Sequence, residues 1–119
     1  MRIRLRQLHV DARPFTWRAE ILHVGSSGQR CIRVRVWGAG KTGRALQADL
    51  LPAPTGAEAA DDGAYPTADE VRAIVRHGLQ LGWQPDERGG TFVLSGQNAA
   101  GFAVPGFTVA GSDLTAQIR

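Results

Sequence analysis

Apolar and polar residues alternate along much of the first 50 positions, with the period of two that is typical of half-buried β-strands. This alternation predicts strands over residues 15–24, 30–37 and 44–51. An earlier strand is predicted from Ile3 and Leu5, which alternate with arginines. Short turns rich in Gly, Pro, Asp or Ser separate the four segments, and short turns join antiparallel neighbours. The first half of the chain is therefore predicted to be an antiparallel meander.

A single amphipathic helix is predicted after the meander. Thr67 and Glu70 have the spacing of a capping box, in which each side chain accepts a hydrogen bond from the backbone N–H of the other residue. Apolar residues then recur at helical spacing, and Gly78 lies within their stripe, where it allows close packing against a sheet. Gly82 is placed to end the helix, and residues 91–95 predict a fifth strand. The stripe consists of Val71, Ile74, Val75 and Leu79.

These elements predict an α+β fold, in which an antiparallel β-meander of about four or five strands carries one amphipathic helix packed on one face. A small, partly open barrel is the alternative. A chain of 119 residues forms a single domain, over residues 1–119. Residues 52–66 contain few bulky apolar groups and are bracketed by prolines, which predicts a mobile connector. Residues 96–119 show no clear period and are expected to form an irregular C-terminal tail or arm.

The apolar pattern also selects how the strands pair, because a slip by one residue moves every side chain to the other face of the sheet. In the second hairpin, pairing Trp17 with Val36 brings the apolar faces together. The same register places Arg18 opposite Arg35 on the other face. The helix is expected to cover the apolar side, so the arginine side is predicted to remain uncovered.

In the first hairpin, pairing Leu5 with Ile21 places the apolar residues of the first strand on the covered side. The arginines of that strand then join the uncovered side, where Glu20 is expected to be the one acidic residue. This grid is the candidate binding surface. Its residues are Arg4, Arg6, Arg18, Arg33 and Arg35, with Trp37 at the margin.

Charge is distributed unevenly along the chain, which has a formal net charge of +3. Residues 1–50 hold ten of the fourteen Lys and Arg residues and only three of the eleven acidic ones. This asymmetry favours an anionic partner for the first half. Thirteen of the fourteen basic residues are arginines, however, and a GC-rich genome alone produces that bias.

Several compartments and classes are excluded or disfavoured by composition. No apolar run approaches the roughly 20 residues that a membrane-spanning helix needs, so no membrane association is expected. The residues at the start of the chain alternate in charge and do not resemble a signal peptide. Cys31 is the single cysteine and has no partner for an internal disulfide. We therefore expect a reducing, cytoplasmic setting.

Three groups of residues resemble chemical sites, but the sequence fits another explanation of each one better. Residues 38–42 resemble part of a phosphate-binding loop, but Arg35 stands where that loop needs a glycine, and a hairpin turn fits better. A metal site built on His9, Asp11 and His23 is disfavoured, because the predicted register separates the two histidines by roughly 20 Å. A nucleophilic pair of Cys31 and His23 would require a slip in register. No catalytic residue, cofactor or metal is therefore predicted.

Residues 65–94 resemble the closing part of small uncharacterised bacterial proteins, in which a capped helix ends in Gly-Trp-x-Pro and leads into a strand containing Phe. Some of those proteins are similar to the immunity partners of bacterial toxins. The resemblance is structural and transfers no catalytic residue. The expected exposed, charged sheet face and irregular apolar tail, together with the lack of a convergent set of titratable groups or a cofactor motif, favour a non-enzymatic protein-interaction module that binds a protein partner or self-associates. The alternative is a nucleic-acid-binding protein that uses the arginine-rich sheet face.

Overall fold

The structure is a computed structural model, and it describes residues 5–24, 29–38, 43–52, 66–94 and 107–109. Within these residues one mostly antiparallel sheet packs against one helix, which confirms the α+β fold. The sheet is open, so the barrel alternative is wrong. In chain order the elements are β1 (Arg6–Val10), β2 (Arg13–Val24), β3 (Gln29–Gly38), β4 (Ala45–Pro52), α1 (Ala68–Gln80), β5 (Thr91–Leu94) and β6 (Phe107–Val109).

The hairpin between β1 and β2 is tighter than the sequence predicts. A turn of two residues, Asp11 and Ala12, joins the strands, and both have positive φ, 53° and 67°. This is the geometry of a type I′ turn, whose twist matches that of paired strands. Pro14, which precedes the predicted strand over residues 15–24, lies within β2 opposite His9.

This tighter turn changes the register of β1, which pairs Leu8 with Phe15 and Arg6 with Trp17. The predicted register differs from it by three positions, and an odd shift exchanges the two faces of a strand. Leu8 is accordingly in the core with 3% of its surface exposed, whereas Leu5 is 48% exposed. The prediction that Leu5 faces the core and Arg6 the uncovered side is therefore wrong.

The register of the next hairpin agrees with the prediction throughout. β2 pairs with β3 so that Trp17 is opposite Val36 and Arg18 is opposite Arg35. β4 then pairs antiparallel with β3 and places Ala48 opposite Val34. The apolar residues of the three strands consequently lie on one side of the sheet, where the helix packs.

Both ends of α1 are capped as the sequence predicts. The Thr67 N–H donates to Glu70 Oε1 at 2.6 Å, and the Glu70 N–H donates to Thr67 Oγ1 at 3.4 Å, which completes the capping box. At the other end, Gly82 has a φ of +108°. The Trp83 N–H donates to the Gly78 carbonyl at 2.9 Å and the Gly82 N–H to the Leu79 carbonyl at 3.2 Å. These two bonds form a Schellman motif, which satisfies carbonyls that the helix end leaves free.

The core lies between α1 and the apolar side of the sheet. Gly78 allows the helix to approach β4 closely, since a Cβ at this position would lie 2.8 Å from Cδ2 of Leu46. Trp83 anchors the end of the helix: its ring centroid is 5.9 Å from that of Phe15, and its Nε1 donates to the Arg44 carbonyl at 2.9 Å. The larger buried residues are Phe15, Trp17, Ile32, Val34, Val36, Leu46, Leu50, Ile74, Trp83 and Leu94.

Two further strands complete the sheet along the outer edge of β4. The predicted fifth strand, β5, is confirmed, but it runs parallel to β4 because α1 carries the chain back between them. β6 pairs antiparallel with the last residues of β4, with Leu50 opposite Val109. Within the expected tail, residues 107–109 thus form a strand. The rest of that tail, and residues 53–65 of the predicted connector, lie outside the described residues.

Candidate interaction face of the sheet

The side of the sheet that faces away from α1 carries most of the predicted binding residues, and we call it the polar face. Successive side chains of a strand point to opposite sides of a sheet, so the residues between the core positions of β2, β3 and β4 share this face. We define the polar face by Arg18 and Glu20 of β2, Arg33, Arg35 and Trp37 of β3, and Gln47 and Asp49 of β4.

The strongest contact on this face joins Arg33 to Asp49, its direct cross-strand neighbour. Nε of Arg33 donates to Oδ1 at 2.9 Å and Nη2 donates to Oδ2 at 3.2 Å. This two-point geometry is the strong form of an arginine–carboxylate pair. The Asp49 side chain is 1% exposed and that of Arg33 is 19% exposed. Their hydrogen bond raises the pKa of Arg33 further above its ordinary value, so its charge persists but is neutralised within the protein.

Arg18 and Arg35 make contacts with neutral groups only, within the part of the chain that the structure describes. Nε of Arg35 donates to the side-chain oxygen of Gln47 at 3.0 Å. The guanidinium carbon of Arg18 lies 5.8 Å from the centroid of the Trp37 ring, within range of a cation–π interaction. Both arginines are partly exposed and are directly opposite each other in the β2–β3 register.

The other two predicted binding residues do not join this cluster. Arg6 pairs with Trp17 and therefore lies on the helix side of the sheet, where its guanidinium carbon is 5.8 Å from the Trp17 ring centroid. Its predicted place on the uncovered side is wrong because of the tighter turn at Asp11. Arg4 lies outside the described residues.

The polar face consequently has a different charge balance from the predicted grid. Its described residues include three arginines, at 18, 33 and 35, and two carboxylates, at 20 and 49. The expectation that Glu20 is the one acidic residue is wrong, because β4 contributes Asp49. The positive charge that remains without a direct carboxylate contact, within this defined set, is concentrated on Arg18 and Arg35.

Cys31 lies next to this cluster on β3 and is fully buried. Burial, with a smaller effect of the Asp49 charge, raises the pKa of the thiol to about 11. The register pairs Cys31 with Leu22 and His23 with Arg30, so His23 is not the cross-strand partner of the thiol. A buried, protonated thiol is a poor nucleophile.

A groove of about 480 Å³ lies at the C-terminal end of α1. Two exposed ion pairs link the loop that forms it to the sheet: Nη2 of Arg13 is 3.1 Å from Oδ2 of Asp86, and Nη2 of Arg44 is 3.5 Å from Oε2 of Glu87. The Arg44 N–H also donates to the Glu87 carbonyl at 2.6 Å. These contacts hold the loop against the ends of β2 and β4. The groove is lined by Arg13, Leu79, Trp83, Gln84, Pro85, Asp86, Glu87 and Arg88.

The described ranges contain neither a metal-binding cluster nor a membrane-spanning helix. No group of three or more His, Cys, Asp or Glu side chains there is arranged to hold a metal ion. No helix within them combines the length and hydropathy of a membrane span. Residues 39–42, which include most of the glycine-rich turn, lie outside the described residues.

Gln47 and Asp49 are the site residues that sequence reasoning does not single out. The signal for them is present, because Leu46, Ala48 and Leu50 are predicted to share one face of the fourth strand and the residues between them must share the other. Their partners follow only from the register between β3 and β4.

Comparisons of this chain with protein-family models, with curated proteins and with solved structures return no match.

Proposed function

We propose that this protein is a non-enzymatic interaction module that binds a protein partner through the polar face of its sheet. The observation that supports this proposal is the cluster of Arg18, Arg35 and Trp37, in which two partly exposed arginines without a carboxylate contact in the described residues adjoin a tryptophan. Arginine and tryptophan are among the residue types that contribute most to binding at protein interfaces. The single buried Cys31 supports a reducing, cytoplasmic setting for such a module.

Nucleic-acid binding is the alternative, and the charge of the polar face argues against it. Affinity for a nucleic-acid backbone accumulates over several contacts between cations and phosphates. Only Arg18 and Arg35 are left for such contacts among the defining residues, because Arg33 is bound to Asp49. Glu20 and Asp49 add negative charge to the same surface. Arg18 and Arg35 form one localised positive patch, whereas binding along a nucleic-acid backbone requires an extended row of positive charges.

Partner capture with matched variants tests the proposal. Tagged wild-type protein, the Arg18→Glu/Arg35→Glu variant and the Arg76→Glu variant are used to retain proteins from a nuclease-treated lysate of the source organism. Arg76 is exposed on α1, and Arg76→Glu is the control for a single charge reversal outside the polar face. A retained protein is then purified and its binding to each variant is measured directly.

We expect a nuclease-resistant partner that binds wild type and the Arg76 variant and is lost from the Arg18/Arg35 variant. Circular dichroism and thermal melting establish that the variants remain folded. In parallel, fluorescence anisotropy measures binding to single-stranded DNA, RNA and duplex DNA at low and physiological salt. Tight nucleic-acid binding that weakens steeply with salt and requires Arg18 and Arg35 would overturn the proposal in favour of the alternative.

A further inference from the structure

Arg18 and Arg35 are direct cross-strand neighbours, and an anion bound between them would relieve the repulsion of their charges. Like charges directly opposite in an antiparallel pair destabilise it, and the Cβ atoms of such a pair are only about 5 Å apart. Within the described residues, the contacts of these arginines are with the Trp37 ring and the Gln47 amide oxygen, both of which are neutral. An oxyanion bound by both guanidinium groups would replace the repulsion with two attractive contacts.

The two neutral partners hold the guanidinium groups in place for such a contact. Gln47 is buried, with 7% of its surface exposed, and it accepts from Nε of Arg35. That bond leaves the terminal Nη groups of Arg35 to meet another acceptor. On the adjacent strand, Arg18 lies against the Trp37 ring. Donors that are oriented before binding lose less conformational entropy when a ligand arrives.

We propose that Arg18 and Arg35 form a clamp for a side-chain carboxylate of the protein partner, with Trp37 contacting an apolar residue beside that carboxylate. This inference rests on the proposed function and gives the chemistry of the partner: an acidic segment in which Asp or Glu adjoins an apolar side chain. Guanidinium groups bind carboxylates through paired N–H donors, which gives direction as well as charge attraction.

The charges around the clamp favour one localised carboxylate over a polyanion. Glu20 is two residues from Arg18 on the same face of β2. Asp49 lies on β4 and already occupies Arg33. A chain of phosphates that followed β2 from Arg18 towards its C-terminal end would meet the Glu20 carboxylate, whereas a single carboxylate between Arg18 and Arg35 avoids it.

The test is a titration of the full chain, labelled with ¹⁵N, with two short capped peptides. One peptide carries two glutamates around a leucine, and the matched peptide carries glutamines in their place. The guanidinium N–H signals of the arginines are followed by NMR, with Arg33 as an internal reference because Asp49 already binds it. A single-stranded oligonucleotide is titrated separately.

We expect the glutamate peptide to shift the Arg18 and Arg35 signals saturably at concentrations up to about 10 mM, while the Arg33 signal and the glutamine titration show no such shift. Arg18→Gln or Arg35→Gln should lower the affinity roughly tenfold, and Arg76→Gln should leave it unchanged. Arg18→Lys is included as well. It retains the charge but removes the planar donor pair, so weaker binding by this variant also supports the clamp.

Absence of saturable shifts at that concentration, or equal shifts with both peptides, would overturn the clamp. Stronger binding of the oligonucleotide through the same signals would overturn the assignment to a protein carboxylate. The two proposals fail separately. If partner capture depends on Arg18 and Arg35 while the peptide does not bind, the interaction module stands and the clamp is wrong. If capture shows no such dependence, the proposed function itself is wrong.

Discussion

Replacing Asp49 with asparagine is expected to destabilise the fold strongly, because it leaves Arg33 without its counter-charge. Removing one member of a buried ion pair costs about 3–5 kcal/mol. The Arg33 side chain is 19% exposed and regains some hydration, so we expect a smaller loss. Asparagine keeps one of the two acceptor oxygens, so one charged hydrogen bond is lost, which contributes about 1.5–3 kcal/mol and places the expected loss in the free energy of unfolding at about 2–3 kcal/mol.

Urea denaturation of a double-mutant cycle measures this contribution. The proteins are wild type, Arg33→Gln, Asp49→Asn and the double variant, and the expected coupling energy between the two residues is about 2 kcal/mol. For a domain of this size, the Asp49→Asn variant should melt roughly 8–12 °C below wild type.

The chain provides a matched control in Arg13 and Asp86, an Arg–Asp pair at 3.1 Å whose aspartate side chain is 90% exposed. Asp86→Asn should cost no more than about 0.5 kcal/mol, because exposed ion pairs contribute little. Similar losses at Asp49 and Asp86, or a coupling energy near zero, would refute the reasoning. Arg33 would then not be neutralised by its partner, and the argument against nucleic-acid binding would lose its main support.

Three further variants test other parts of the structure, each by urea denaturation. Wild type should lose about 3 kcal/mol of stability between pH 9 and 11, because the pKa of the Cys31 thiol is 9.0 in the unfolded chain and about 11 in the folded protein. Cys31→Ala should abolish this loss, and identical pH profiles of variant and wild type would contradict the prediction. Gly78→Ala should lower the free energy of unfolding by about 1 kcal/mol, because the cost of crowding the new methyl group against Leu46 exceeds the gain of about 1 kcal/mol in helix propensity. The smaller side chain of Leu46→Val should relieve the crowding, so the double variant should recover the stability that Gly78→Ala loses. Gly82→Ala should cost about 1–2 kcal/mol through backbone strain alone, because φ is +108° and nothing lies within 4 Å of the added Cβ; a neutral result would contradict this.

The sequence predicts the fold correctly where the apolar pattern or the capping residues are compatible with a single arrangement of the element. β2 and β3 alternate over long stretches, so any register shifted by an odd number of residues would move Trp17 and Val36 to opposite faces, and the apolar pattern excludes it. The helix is equally well determined, since the capping box at Thr67 fixes its start and Gly82 its end.

The first hairpin is not determined in this way. Leu5 and Leu8 lie three positions apart, so each belongs to a different alternating set, and either set can face the core. The turn decides between them, and it uses positive φ at Asp11 and Ala12 rather than at glycines. Alanine rarely adopts this conformation, so the composition of the turn gives no signal for it.

The candidate site is predictable only in part for a related reason. Arg18, Arg33, Arg35 and Trp37 follow from the second hairpin, whose register is determined. Whether an arginine is available for binding depends on the strand beside it, and the pairing of Arg33 with Asp49 joins residues 16 positions apart. A face that is mainly basic along β2 and β3 thus becomes nearly balanced in charge when β4 adds Asp49.

The position of β4 has a consequence for the order in which the chain folds. β1 to β4 each pair with the next strand in sequence, so these four strands can assemble from local contacts during synthesis. The outer edge of β4 is covered only after α1 and β5 have been made, and β6 follows still later. During that interval an apolar strand has an unpaired edge, which is a template for intermolecular pairing. Mutations that slow the docking of α1 should therefore increase aggregation during synthesis before they measurably lower the stability of the finished protein.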